Sequence, residues 1–278
     1  MVLLHASSYE YPMTRMVTSS AKICAVIPAR MGSSRFPGKP LAPILGIPMI
    51  EHVYRRTELC GLLADVYVAT CDAEIREAVD RFGGNFLMTS DRHERASDRV
   101  AEAAEKLDAD IIVMIQGDEP MTVPEMIGAA VQPMLDDPNI GCVNLFKEIE
   151  NDAEHRNPNT IKVVMDARKR ALYFSRQPIP TLPSDVTTPE RSYKQVCVIP
   201  FRRELLFEYT SLPATPLEKA ESVDMLRLLE HGYDVHMVET EYATHAVDTA
   251  EDRALVEKLM RNDHLLQHYS EAGSEDMQ

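Results

Sequence analysis

Two sets of residues in this chain have types and spacings that could do chemistry together. The first is the run Ala29-Arg30-Met31-Gly32-Ser33-Ser34-Arg35-Phe36-Pro37-Gly38-Lys39-Pro40-Leu41, one loop with two glycines, two serines, two arginines and a lysine. Backbone N–H groups, hydroxyls and fixed cations around one point are what a triphosphate requires. Arg30 and Arg35 can fork onto phosphate oxygens, while Lys39 supplies a compact charge. A basic surface turn is the alternative. The loop's place directly after the apolar run Ile23-Cys24-Ala25-Val26-Ile27 argues against it, because ligands bind at the ends of core strands in α/β sheets. The second set is acidic. Gln116-Gly117-Asp118-Glu119-Pro120 ends the most apolar segment, and Val247-Asp248-Thr249 follows a later one. A carboxylate pair facing a phosphate loop suggests Mg²⁺, a hard cation that bridges carboxylates to substrate phosphates. Asp118 and Asp248 are the candidate ligands; a solvated turn for the first and a helix N-cap for the second are the alternatives.

The loop is neither a Walker A sequence nor a dinucleotide turn. The spacing from Gly32 to Lys39 is wrong for the former, Pro40 stands where its metal-binding hydroxyl belongs, and no Gly-x-Gly-x-x-Gly is present there.

Elements that must position these groups can be read from hydrophobic periodicity. After the loop, residues 48–60 read as a helix with proline at its start, 65–70 as a strand, 73–82 as a helix closed by Gly83-Gly84, and 85–89 as a short strand. Residues 97–107 read as a helix capped by Ser97 or Asp98, 110–115 as a buried strand and 124–135 as a helix. This order predicts an α/β fold with a doubly wound, mainly parallel sheet. The second half changes character: strands at 162–166, 171–175 and 195–201, a Pro/Thr/Ser-rich loop at 177–192, a helix at 217–230 stopped by Gly232, a strand at 235–238 and a closing helix at 249–260. We therefore expect a flexible tail over residues 1–20, a single domain over 21–265 with a smaller β-rich subregion near 160–215, and a polar tail over 266–278.

The formal charge of −15 makes nucleic acid an unexpected partner and marks the basic loop as a local exception, the usual sign of an anionic ligand site. The five cysteines form no Cys-x-x-Cys pair and read as reduced thiols, no run reaches membrane-spanning length, and residues 1–20 lack a signal-peptide core. A cytoplasmic protein with no membrane partner is the expectation.

The motifs together resemble the 3-deoxy-manno-octulosonate (Kdo) cytidylyltransferase family over nearly the whole chain. The residues that carry the resemblance are Ile27-Pro28-Ala29-Arg30, Ser33-Ser34-Arg35, Pro37-Gly38-Lys39-Pro40-Leu41, Val68-Ala69-Thr70, Gln116-Gly117-Asp118-Glu119-Pro120, Asn157-Pro158-Asn159, Ala171-Leu172-Tyr173-Phe174-Ser175-Arg176, Leu217-Glu218 with Glu221, and Val247-Asp248-Thr249. The resemblance implies a Rossmann-like nucleotidyltransferase fold with a dimerisation region, and a reaction in which CTP and an acidic sugar give a CMP-sugar and pyrophosphate. It implies that Arg30, Ser33, Ser34, Arg35, Lys39, Thr70, Ser97, Arg99 and Gln116 hold the nucleotide and that Lys39, Asp118 and Asp248 are catalytic. It further implies Mg²⁺ on Asp118 and Asp248, an acceptor site of Arg176, Gln195, Glu218 and Glu221, and a homodimer.

The chain departs from the family pattern at the acceptor end. Gln195 stands in place of a histidine, Ile199 in place of a tyrosine and Met225 in place of a glutamine. Each change alters a polar group, so the acceptor could be Kdo, a modified keto-deoxy sugar acid or a small phosphonate acid. Two further readings stand beside this one. A sugar-1-phosphate nucleotidyltransferase would need cations for the acceptor phosphate, whereas the proposed acceptor helix carries Glu218 and Glu221. A nucleotide-binding regulatory protein without turnover would not need both Asp118 and Asp248.

Overall fold

The computed structural model describes residues 21–32, 36–181, 191–242 and 245–270. In chain order its strands are β1 (Ile23–Ala29), β2 (Pro43–Ile44), β3 (Ile47–Pro48), β4 (Asp65–Thr70), β5 (Phe86–Met88), β6 (Ile111–Ile115), β7 (Val143–Glu148), β8 (Lys162–Met165), β9 (Ala171–Ser175), β10 (Tyr193–Val196), β11 (Val198–Arg202) and β12 (His236–Glu239). The α-helices are α1 (Met49–Glu58), α2 (Ala73–Arg81), α3 (Ala96–Glu105), α4 (Pro124–Asp136), α5 (Asp152–Arg156), α6 (Arg203–Ser211), α7 (Pro216–Glu221), α8 (Met225–Glu230), α9 (Ala250–Met260) and α10 (Gln267–Ser270). Among the described residues no helix is long and apolar enough to cross a membrane.

All seven residues of β1 are buried, because helices cover both faces of its sheet. Alternate side chains point to opposite layers. Ile23, Ala25 and Ile27 pack with Ile50 and Val53 of α1, Val79 of α2 and Val131 of α4. Cys24 and Val26 pack with Val100 of α3 and Leu206 of α6. The strand order is β11-β6-β1-β4-β5, with β6, β1, β4 and β5 parallel and β11 antiparallel at the edge. The chain winds one way from β1 through β4 to β5, then returns to place β6 on the other side of β1. The doubly wound reading is therefore borne out, and the reversal between β1 and β6 opens a crevice at their carboxyl ends. Gly117 sits there because a Cβ would lie 2.9 Å from the Pro28 carbonyl oxygen.

A second sheet, ordered β12-β7-β10-β8-β9, forms the β-rich part. Its junction with the first differs from the single strand read at 195–201. β10 pairs with β7, β11 pairs with β6, and Cys197 alone separates them. The Cys197 carbonyl accepts a hydrogen bond from the Gln116 N–H (3.3 Å), so the crossing point is tied to the crevice.

The helix read at 217–230 is also interrupted. Ser222 takes a left-handed conformation (φ 53°) between α7 and α8, held by side chains on both sides of it. The helix read at 97–107 starts one residue earlier, with Arg95 rather than Ser97 or Asp98 at the N-cap.

Residues 264–270 dock against the rest of the protein. Tyr269 is buried, and its hydroxyl lies 2.9 Å from Nδ1 of buried His52. Nε2 of His52 is 2.8 Å from the Ile44 carbonyl oxygen, which can only accept, so the ring is the neutral tautomer that takes the Tyr269 proton at Nδ1. Burial pushes the His52 pKa down to about 4. Unfolded histidine titrates near 6.5, so this stabilisation is complete above that pH and is lost as pH falls toward the folded value, by about 3 kcal/mol. Urea unfolding at about pH 7 and about pH 4 is expected to show a smaller acid loss for His52→Gln than for the parent chain. Equal losses would assign the acid sensitivity elsewhere.

Candidate active site

The crevice at the carboxyl ends of β1 and β6 holds a cavity of about 310 Å³ lined by Arg30, Lys39, Arg95, Arg99, Gln116, Asp118 and Asp248, among others. Three distant chain segments supply its centre. Arg30 directly follows β1. Gly38, with φ 73°, turns the chain into a short 3₁₀ turn, Lys39–Leu41, that delivers Lys39. Asp118 follows β6, and its carbonyl accepts from the Val247 N–H (2.9 Å), which staples the 247–249 segment beside it. Thr249, not Asp248, caps α9: its side chain accepts from the Asp252 N–H, and Asp252 reciprocates. The Asp248 carboxylate meets Lys39 instead.

Lys39 Nζ lies 2.6 Å from Asp118 Oδ2 and 3.3 Å from Asp248 Oδ1, with all three side chains largely buried. Burial acts to lower the Lys39 pKa, but the two carboxylates outweigh it and hold the ammonium above its usual range. The neighbouring Glu119 is the reverse case. Its Oε2 is buried without a hydrogen-bond partner, and burial, reinforced by Asp118, pushes its carboxyl up to about 8. Its surroundings thus oppose charge on Glu119, whereas the two aspartates face the Lys39 ammonium.

The loop is anchored by Asp72, the N-cap residue of α2. Its side chain makes no cap bond and instead accepts from the Met31 N–H at 2.7 Å. That diversion is invisible to a capping pattern alone. Ser33, Ser34 and Arg35 lie outside the described residues.

Other expected nucleotide residues divide into two groups. Gln116 and Arg99 line the cavity, and buried Arg99 donates to Thr89 Oγ1 (2.6 Å) and the Ser90 carbonyl (3.2 Å). Thr70 and Ser97 do not reach it. Thr70 is buried and accepts from the Asp72 N–H, while Ser97 lies within α3 with its hydroxyl 2.9 Å from Asp224 Oδ2 and 3.2 Å from the Tyr209 hydroxyl.

The expected acceptor residues are engaged inside the protein. Glu218 is fully buried and takes two bonds from Arg227, 2.8 Å from Nε and 2.6 Å from Nη2. Burial would raise its pKa, but Arg227 prevails and lowers it. Glu221 accepts from Ser175 Oγ (2.7 Å), Tyr173 hydroxyl (3.2 Å) and the Arg176 N–H (2.8 Å). The Arg176 guanidinium donates to the carbonyls of Glu221, Pro158 and Ser222. Gln195 Nε2 donates to Asn144 Oδ1 at 2.6 Å and lines a second cavity of about 440 Å³ that also touches Glu119, Lys194, Cys197 and Asp248. That cavity meets the first at Asp248. Ile199 is buried among Phe201 and Tyr209.

Asp118 and Asp248 fit a hard divalent cation. They offer oxygen donors only, and a single cation already stands within 3.3 Å of both. Among the described residues no cluster of three or more His, Cys, Asp or Glu could hold a metal, so substrate oxygens would have to complete the shell.

Comparisons with known proteins show the family and the fold. The family model described as cytidylyltransferase matches residues 24–262. A 3-deoxy-manno-octulosonate cytidylyltransferase of Geobacter metallireducens is 45% identical over 250 residues, covering 86% of this chain and 98% of that protein. One from Solibacter usitatus is 43% identical over 240 residues, covering 86% and 95%. The solved structure of CMP:2-keto-3-deoxy-manno-octonic acid synthetase complexed with CTP superposes with a TM-score of 0.81 at 43% identity, covering 87% of this chain and all of that one. The 4-diphosphocytidyl-2C-methyl-D-erythritol synthase of Anaerococcus prevotii, at 15% identity and a TM-score of 0.60, shares the fold.

Proposed function

The chain belongs to the cytidylyltransferase family, and from that premise we propose that it transfers CMP from CTP to 3-deoxy-manno-octulosonate (Kdo), releasing pyrophosphate. The observation that carries the chemistry is Lys39 standing between Asp118 and Asp248 at the mouth of the β1/β6 crevice. The acceptor hydroxyl attacks the α-phosphorus of CTP, the bond to the β-phosphate oxygen breaks, and the hydroxyl proton leaves to solvent. Little covalent help is available to such a step, so the protein acts by placement and charge.

Arg30, Lys39 and Arg99 supply fixed cations along the cavity, and the arriving triphosphate gives Lys39 a stronger anionic partner than either aspartate. Lys39 offsets the charge that grows on departing pyrophosphate. Asp118 and Asp248 are the residues that would hold Mg²⁺, which when bound would neutralise phosphate charge and make the attacking hydroxyl more acidic. Pyrophosphate release measured with each of the four NTPs against a panel of acids tests the reading. CTP-only turnover with Kdo is the expected result, turnover only with a sugar phosphate would replace it, and none would leave a binding protein.

The cavity beside Asp248 is the acceptor site this reading favours, because it adjoins the nucleotide cavity and contains Gln195. Gln195 is committed to Asn144, so this site gives a polyhydroxy acid fewer partners than the family pattern implies. Gln195→His is expected to raise kcat/KM for Kdo about tenfold, the scale of one regained hydrogen bond. An unchanged or lower value would favour a different keto-deoxy acid or a phosphonate acid as acceptor, to be read from the same panel.

A further inference from the structure

Lys162 opens β8 and is fully buried, and buried lysines are ordinarily matched by a carboxylate. Here carbonyl oxygens take that place. Nζ donates to the carbonyls of Asn157 (2.9 Å), Thr160 (2.7 Å) and Arg176 (2.7 Å), which uses all three donors of an ammonium. Two of those carbonyls belong to one turn, residues 157–160, which carries the Asn157-Pro158-Asn159 motif. Arg176 Nη1 takes a third carbonyl of that turn, Pro158, at 3.0 Å. The turn also closes on itself, through Thr160 N–H to the Asn157 carbonyl (3.1 Å) and Asn159 N–H to Asn157 Oδ1 (2.9 Å). It is a wall of the cavity beside Asp248, which Asn157, Asn159, Thr160 and Ile161 all line. The Ile161 carbonyl accepts from the Gln195 N–H (2.8 Å), so the turn and Gln195 are joined in the same wall.

Resting on the function proposed above, we propose that Lys162 is a positioning residue of the acceptor site: its charge clamps the 157–160 turn to the end of β9 and so presents Asn157, Asn159 and Thr160 to the acceptor. A neutral amine keeps two donors and turns a lone pair toward the third carbonyl, so the clamp needs the ammonium. Burial pushes the Lys162 pKa down to about 8; Arg176 acts in the same direction and Glu221 against it. The clamp is therefore complete below that pH and is lost as pH rises through it. On β10, the register partner Lys194 has its own carboxylate, Glu154, at 2.5 Å. The folded chain holds the Lys162 proton less tightly than the unfolded one, so losing it frees the turn without weakening the fold as a whole.

Calorimetric titration of Kdo into protein saturated with α,β-methylene-CTP and Mg²⁺ tests the clamp. The Kdo dissociation constant of the parent is expected to rise about tenfold from about pH 7 to about pH 9, in step with the falling fraction of clamped turn. The constant for the CTP analogue should change less than about twofold over the same range, since the nucleotide cavity does not include the turn. Lys162→Met, similar in length and uncharged, should bind Kdo at about pH 7 as weakly as the parent does at about pH 9, with no further rise and with melting curves as the check on folding. Among the other groups lining this cavity, His245 is held below its usual range and the Cys197 thiol well above its own, but burial brings Glu119 to about 8. Glu119→Gln should keep the parent's rise, and it decides the question if the methionine variant does not fold. A flat parent profile, a rise abolished by Glu119→Gln, or a folded Lys162→Met with the parent's profile overturns the clamp. Pyrophosphate release by the parent with CTP and Kdo separates the two ideas: turnover with a pH-independent Kdo affinity sinks only this inference, whereas no turnover sinks the reading on which it rests.

Discussion

Replacing Lys39 with alanine is expected to lower kcat/KM for pyrophosphate release at least about 1,000-fold, the upper end for losing one preorganised electrostatic stabiliser. The loss is larger than for a lone cation because Lys39 acts on both states of the site. Without it Asp118 and Asp248 face each other with no fixed positive charge between them, and the leaving group loses a cation in the transition state. Lys39→Arg separates these terms. It keeps the charge but replaces a compact ammonium by a wide planar fork in a largely buried position, so it should recover only part of the rate. Alanine within about tenfold of the parent would remove Lys39 from the mechanism.

Asp118→Asn is expected to lower kcat at least about 100-fold with a smaller effect on the KM for CTP. Asparagine preserves size and the backbone carbonyl that staples Val247, so the loss reports charge rather than collapse of the 247–249 segment. Asp248→Asn should act in the same direction. If both aspartates serve one ion, the double variant should be little worse than either single one, since groups that act as a unit are not additive. Full additivity, or Asp118→Asn within a few-fold of the parent, would show that the two do not share a cation.

The parts of this site that the sequence made readable are those fixed by strand ends. Hydrophobic runs located β1 and β6, and Arg30 and Asp118 lie just past their carboxyl ends, so their convergence followed from topology. Asp248 is different. It lies 209 residues from Lys39; its place after an apolar run made it a candidate second carboxylate, and the family resemblance strengthened a pairing that a helix N-cap reading left open. Glu218 and Glu221 show where pattern reasoning stops. An i, i+3 spacing puts two carboxylates on one helix face but does not say what that face meets, and here it meets Arg227 on one side and β9 on the other. The break at Ser222 was hidden for a related reason: apolar spacing continues through it, while the cause is tertiary, in the grip of Arg95 and Arg176.

The crossing from one sheet to the other at Cys197 limits how this chain can change in length. Surface loops absorb added residues cheaply, but here no loop exists between β10 and β11. Inserting or deleting one residue would exchange the two faces of whichever strand slipped; in β11, buried on both sides, it would send Val198 into the layer of Ile199 and Phe201 and those two into its own. The same slip would drag the Gln116 anchor, and with it the crevice floor. Divergence among such proteins should therefore accumulate as exchanges of residue type along this stretch and as gaps elsewhere, leaving the distance from Tyr193 to Arg202 constant.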